Sequence, residues 1–276
     1  MRAFRTVLFA FALLTAVLPV LLAGPARAAG VHGDDEQDQY VGSGGLLLPG
    51  GVSASTRREV ASCLGCSWRL SSPCLQAPGV GFDGQPTCAG VVRGCPGGRL
   101  MRGWFRPADG SWRELGLVCL GPRGPITVAD VSQAIAESVP HRLPLLRPRG
   151  EPNRGVLAQL PVHFRSGQQP GPLEWAAEIL GQQVSITARP SWTWSFGDGA
   201  ALVTSDPGGR YPHGGVVHTY GTTGVMTVTC SAEWRAQFEV DGLGPFPVPE
   251  VVHQRAEVEV AVGEGRGVLT LGHVAQ

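Results

Sequence analysis

Lysine is missing from the 276-residue chain: its 22 basic residues are all arginines, and 22 acidic residues balance them. A nucleic-acid-binding protein of this size should carry a basic excess, so that class of function is not expected. Charged residues are scarce, at 16%. The chain has no Gly-x-Ser-x-Gly elbow, no His-Glu-x-x-His pattern and no phosphate-cradling glycine loop. Its seven histidines, at 32, 141, 163, 213, 218, 253 and 273, are scattered. Without a catalytic constellation, an enzyme is not the expected reading. Wholesale disorder is also excluded, because apolar residues at 43% supply a core. The 40 glycines and 23 prolines make the chain loop-rich, just short of a low-complexity composition.

One long apolar run is present, from Thr6 to Gly24, preceded by Arg2 and Arg5 and followed by Ala26-Arg27-Ala28. Small residues at −3 and −1 make this a secretory signal with cleavage predicted after Ala28, so residues 1–28 are read as a signal peptide. An uncleaved run would instead anchor the chain in a membrane. Cleavage removes three arginines and no acids, leaving three more acidic than basic residues. Export, to the medium or the cell envelope, is the expected localisation.

The cysteines fit that address. Cys63, Cys66, Cys74, Cys88, Cys95 and Cys119 cluster, and Cys230 stands apart. An even cluster in an exported chain reads as disulfides, with 15 possible pairings of six cysteines. Cys63-Leu64-Gly65-Cys66 is also a CxxC, but no thioredoxin-like βαβ pattern surrounds it. Cys88 and Cys95 are spaced too widely for a zinc knuckle.

Residues 29–60, with acidic Asp34, Asp35, Glu36 and Asp38 and then Gly42-Ser43-Gly44-Gly45, have no period and are expected to be a flexible linker. Residues 61–122 are expected to form a disulfide module. A hairpin is predicted within it, from Leu100–Arg106 and Trp112–Leu120 around Pro107-Ala108-Asp109-Gly110, with Trp104 and Trp112 paired across strands. That pair is read as a small core, or as a sugar-stacking platform. Residues 123–155 are expected to hold one helix and a connector. Thr127-Val128-Ala129-Asp130 resembles a capping box, Val128, Val131, Ile135 and Val139 recur at helical spacing, and Pro140 stops the run. The Pro- and Arg-rich stretch to 155 reads as extended.

From about 156 the period becomes two. Val184, Ile186 and Ala188; Trp192, Trp194 and Phe196; Met226, Val228, Cys230, Ala232 and Trp234; and Ala256, Val258, Val260 and Val262 each alternate with small or polar residues. Half-buried strands separated by Gly/Pro turns predict a mainly β fold, an antiparallel sandwich over 156–263 with a tail at 264–276. The alternation from 226 to 240 exceeds a common strand, so a bend or bulge is expected in it. Cys230 is expected to be a buried free thiol.

Trp194-Ser195-Phe196-Gly197-Asp198-Gly199, then His218-Thr219-Tyr220, Gly224 and Val228-Thr229, resembles the PKD family. The resemblance covers about 184–235 most closely. It implies an immunoglobulin-like sandwich, in a layout similar to exported actinobacterial PKD proteins. It assigns Trp194, Phe196, Gly197, Asp198, Gly199, His218, Tyr220 and Gly224 structural roles. Ser195 stands where the family often has Asp, which weakens any calcium site, and no cofactor or metal is expected. Asp198, Asp206, His213 and His218 are the candidate metal ligands, with turn and corner roles favoured. The long segment from Ala200 to Val217 is where recognition would sit on a rigid scaffold. The expected function is a non-catalytic interaction protein touching a protein or cell-wall glycan partner. The alternatives are an accessory polysaccharide-binding protein for a secreted hydrolase, using Trp104, Trp112 or loop 200–217, and a CxxC thiol oxidoreductase.

Overall fold

The computed structural model describes residues 31–34, 39–73 and 95–265. The signal segment, Cys74 and Cys88 lie outside them. Among the described residues the fold is mainly β, with antiparallel sheets and two α-helices. Among the described residues no helix is long and apolar enough to cross a membrane.

The first unit contains β1 (Val31–Asp34), β2 (Gln39–Ser43), β3 (Leu46–Leu47), α1 (Ala54–Ser62), β4 (Ser67–Ser71), β5 (Arg99–Arg106) and β6 (Arg113–Leu120). Five strands form an antiparallel sheet in the order β1-β2-β4-β5-β6. Its core gathers Trp68, Leu70, Met101, Phe105, Val118 and Leu120 with Leu46, Leu48 and Val60. The expected linker is therefore structured over residues 39–62. Its glycines misled because one of them is a packing device: a Cβ on Gly42 would collide with the Trp68 indole, so only glycine lets the ring lie across β2. Helix α1 was masked by its polarity, only Val60 and Ala61 being buried. Its start is local chemistry, since Ser53 Oγ accepts from the Thr56 amide at 3.1 Å.

The hairpin forms as expected, with the Gly110 amide donating to Pro107 O at 3.2 Å. The Trp104–Trp112 pair does not. On the turn side of a bulge between Gly103 and Trp104 the register sets Phe105 opposite Arg113 and Trp104 opposite Glu114; Trp104 is buried, while Trp112 precedes β6 and sits under the Arg106 guanidinium at 5.1 Å.

Next come β7 (Ile126–Thr127), which pairs with β3, and α2 (Val128–Ser138). Thr127 caps α2 in a complete box with Asp130: the Asp130 amide donates to Thr127 Oγ1 at 3.1 Å, and the Thr127 amide to Asp130 Oδ2 at 2.8 Å. Val131, Ile135 and Val139 are buried, and the helix gives way at Pro140 to a 3-10 turn, Val139–His141. The connector begins with that turn and later supplies β8 (Arg149–Glu151), which is extended.

The remaining strands are β9 (Val156–Leu157), β10 (Pro161–Arg165), β11 (Leu173–Ile179), β12 (Gln182–Ser195), β13 (Ala201–Thr204), β14 (Val216–Thr219), β15 (Gly224–Val240) and β16 (Leu243–Gly263). The large sheet runs β11-β12-β15-β16-β9, with β13 also on β12, and a smaller sheet runs β14-β10-β8. The period-two residues point inward as expected: Val184, Ile186, Ala188, Trp192, Trp194, Phe196, Val228, Cys230, Ala232, Trp234, Val260 and Val262 are buried. At one end β10 of the smaller sheet brings Phe164 to 5.7 Å from Trp194 and 5.3 Å from Phe196. Toward the other end α2 packs on β16 and shares one core with Phe238, Val240 and Phe246. β15 stays continuous for 17 residues, and the expected irregularity falls in its pairing with β16, between Arg235 and Gln237 and again before Val240. There β16 carries Pro245, Pro247 and Pro249, which cannot donate to a ladder.

Candidate functional site

The residues singled out between Phe196 and Gly224 converge on one corner. Gly197 has φ +88°, and a Cβ there would press on the Thr227 backbone at 2.9 Å, so glycine is required twice over. Asp198 Oδ1 accepts from the Ala200 amide at 3.1 Å, closing the turn that ends at Gly199. His218 Nε2–H donates to Asp198 Oδ2 at 2.7 Å, while its ring stacks on Phe196 at 4.2 Å and 6°. The Tyr220 hydroxyl donates to Phe196 O at 3.2 Å. Gly224 opens β15 at φ +144°. Burial works against ionising Asp198. The His218 hydrogen bond, the Ala200 amide and the His218 charge outweigh it and hold the carboxyl below its ordinary value. Burial, aided by the Asp198 charge, pushes the Tyr220 hydroxyl up to about 12. Every polar atom named here is engaged within the corner.

Of the four candidate metal ligands the structure brings Asp198 and His218 together and leaves the others apart. Asp206 Oδ1 caps the Gly208 amide at 2.8 Å, and His213 is exposed. Among the described residues no group of three or more His, Cys, Asp or Glu side chains could hold a metal ion.

Cys95, ahead of β5, and Cys119 in β6 form a disulfide, with Cα atoms 5.6 Å apart. Cys63 and Cys66 stand as thiols rather than half-cystines. Cys66 Sγ–H is buried and faces Cys63 O at 3.3 Å and Gly44 O at 3.4 Å. Its burial first, and the Cys63 sulfur second, push its thiol up, the opposite of an activated nucleophile. Cys63 is the C-cap of α1. Cys230 is a fully buried free thiol in register with Trp194, and burial pushes it up to about 12.

An open cleft of about 620 Å³ lies over the outer face of the smaller sheet, lined by Arg149, Glu151, Pro152, Asn153, Arg165 and Tyr211, among others. The β8–β10 register sets Arg149 opposite Arg165 and Glu151 opposite His163. Loop 205–215 folds back onto this sheet: the Ser166 amide donates to Pro207 O at 2.7 Å, and the Tyr211 amide donates to Glu151 Oε2 at 3.2 Å. The Tyr211 ring meets His163 edge-on at 5.1 Å yet stays 70% exposed. Glu151 Oε1 lies 3.3 Å from Arg165 Nε. The result is an exposed aromatic ring, fixed by backbone and ring contacts, in a cleft that two arginines also line.

The chain matches no family model, no curated protein and no solved structure.

The geometry therefore carries the functional reading. Loop 200–217 was expected as a recognition segment, but Arg149, Glu151, Asn153 and Arg165 were not expected beside it. The available signals were the Arg-rich stretch at 147–154 and the Tyr211-Pro212-His213 run.

Proposed function

We propose that the chain is an exported, non-catalytic interaction protein whose C-terminal half is a PKD-like β-sandwich presenting a contact surface to a protein or glycan partner at the cell envelope or outside the cell. The observation that carries this reading is Tyr211, an exposed ring held over an open cleft on a sheet. A pre-positioned aromatic loses little side-chain entropy on binding, and such rings on rigid scaffolds are efficient contact residues. The internal hydrogen bonding of the corner at Asp198 supports a scaffold role for the motif, with recognition beside it. The platform version built on Trp104 loses support, because that ring is buried. The thiol oxidoreductase reading loses support from the buried, high-pKa Cys66. Export follows from cleavage after Ala28 and is part of the proposal.

The test is retention of the full mature chain on native envelope material. Retention that falls at least tenfold in Tyr211→Ala, with unchanged thermal stability, supports the reading. Undiminished retention in that variant would assign contact to another surface.

A further inference from the structure

Resting on the reading of the Tyr211 cleft as a contact surface, we infer that the cleft takes an acidic glycan, a polymer whose sugars bear carboxylates.

The first reason is an uncompensated charge. Arg149 and Arg165 are directly opposite on neighbouring antiparallel strands, an arrangement of like charges that costs stability unless something neutralises it. Glu151, the only carboxylate lining the cleft, is already used: one oxygen faces Arg165 at 3.3 Å and the other accepts the Tyr211 amide at 3.2 Å. Among the described residues no carboxylate pairs with Arg149, whose side chain stands at the exposed rim. A guanidinium presents a planar fork that matches a carboxylate in two parallel hydrogen bonds.

The second reason is the company that Arg149 keeps. Tyr211 offers an exposed face against which the C–H side of a pyranose ring can stack, and Asn153 at the rim offers both a donor and an acceptor for ring hydroxyls. The cleft is open rather than enclosed, and it lies on the outer face of a sheet, which suits a stretch of polymer passing through. His163 faces the same side and adds no negative charge. Arg154 and Arg210, both exposed, adjoin Asn153 and Tyr211 in sequence.

The experiment is affinity electrophoresis of the full mature chain in gels containing sodium polygalacturonate, neutral dextran or a ribitol-phosphate polymer. Retardation by polygalacturonate is expected, weakening as salt rises because exposed charges are screened. It should fall at least tenfold in Arg149→Ala, Arg149→Gln and Tyr211→Ala, and remain in Arg142→Ala, a control on an exposed turn. Retardation by dextran that needs Tyr211 and not Arg149 would overturn the acidic-glycan inference while leaving the contact surface standing. Preference for the phosphate polymer would overturn the choice of carboxylate. No retardation by any of the three would overturn the inference, and Tyr211-dependent retention on envelope material would then still decide the broader reading separately.

Discussion

The indole N–H of Trp192 donates to Gln168 Oε1 at 2.7 Å in the interior of the C-terminal half. From that bond a closed amide network spreads. Gln168 Nε2 donates to Gln254 Oε1 at 2.7 Å and to Pro144 O at 2.8 Å, Gln254 Nε2 donates to the same carbonyl at 3.1 Å, and Trp234 Nε1 donates to Gln254 Oε1 at 3.3 Å. Two buried indoles are thereby satisfied, and the connector at Pro144 is fastened to the large sheet. A network of this kind stabilises when every member is paired and costs heavily when one is removed.

Gln168→Leu should therefore destabilise by about 1–3 kcal/mol, the usual cost of stranding a buried donor. The double variant Gln168→Leu with Trp192→Phe should cost less than the sum of the two single changes, because both partners of the bond then go together. Urea denaturation of the four proteins checks this, and strict additivity would mean the bond contributes nothing in solution.

Trp194→Ala should cost about 3–5 kcal/mol, as large aromatic truncations in a core do. Asp198→Ala, at an exposed turn, should cost about 1 kcal/mol through its lost hydrogen bonds. The inward phase of Trp194 and its contact with Phe164 set that order. Denaturant melts that reverse it would contradict the strand register.

Two titrations give the fold a pH signature. The Asp198 carboxyl is held below its ordinary 3.8, so its contribution is fully present above that value and is lost as pH falls below it toward the folded pKa. Tyr220 runs the other way: its hydroxyl rises from 10.0 to about 12, so its contribution is present below pH 10 and is lost as pH climbs to about 12. Stability measured across both ranges should show both limbs. Asp198→Asn should flatten the acid limb, and Tyr220→Phe the alkaline one.

What could be read in the sequence was what repeats locally. The alternation of Trp192, Trp194 and Phe196 has one physical reading on a half-buried strand, and Thr127 and Asp130 cap α2 at a spacing of three residues. What stayed hidden depends on distant partners. Gly42 looks like linker glycine until Trp68 is laid over it, and the hairpin sets Trp104 opposite Glu114 rather than Trp112. The candidate site is hidden for the same reason. Tyr211 and Glu151 are 60 residues apart, and nothing local to either says that they meet. The Gln168–Gln254 bond, across 86 residues, is equally silent, since each glutamine alone reads as a surface residue.

Cys230 offers the sharpest check on strand phase. It faces Trp194 across β12 and Ala256 across β16, with no exposure, so its thiol is a small hydrophobe. Forming the thiolate there would put a charge in an apolar core, which is why the group sits near 12 and why alkylation must await opening of the sheet. Native protein treated with a soluble maleimide and mapped by peptide mass should leave Cys230 unmodified, whereas the same protein in strong denaturant should be labelled within minutes. The labelling rate should rise in Trp194→Ala in proportion to its loss of stability, because both report the same opening. Rapid native labelling of Cys230, or a Cys230-linked dimer under non-reducing conditions, would mean that its side chain faces solvent and that the whole stretch from Met226 to Trp234 is turned over.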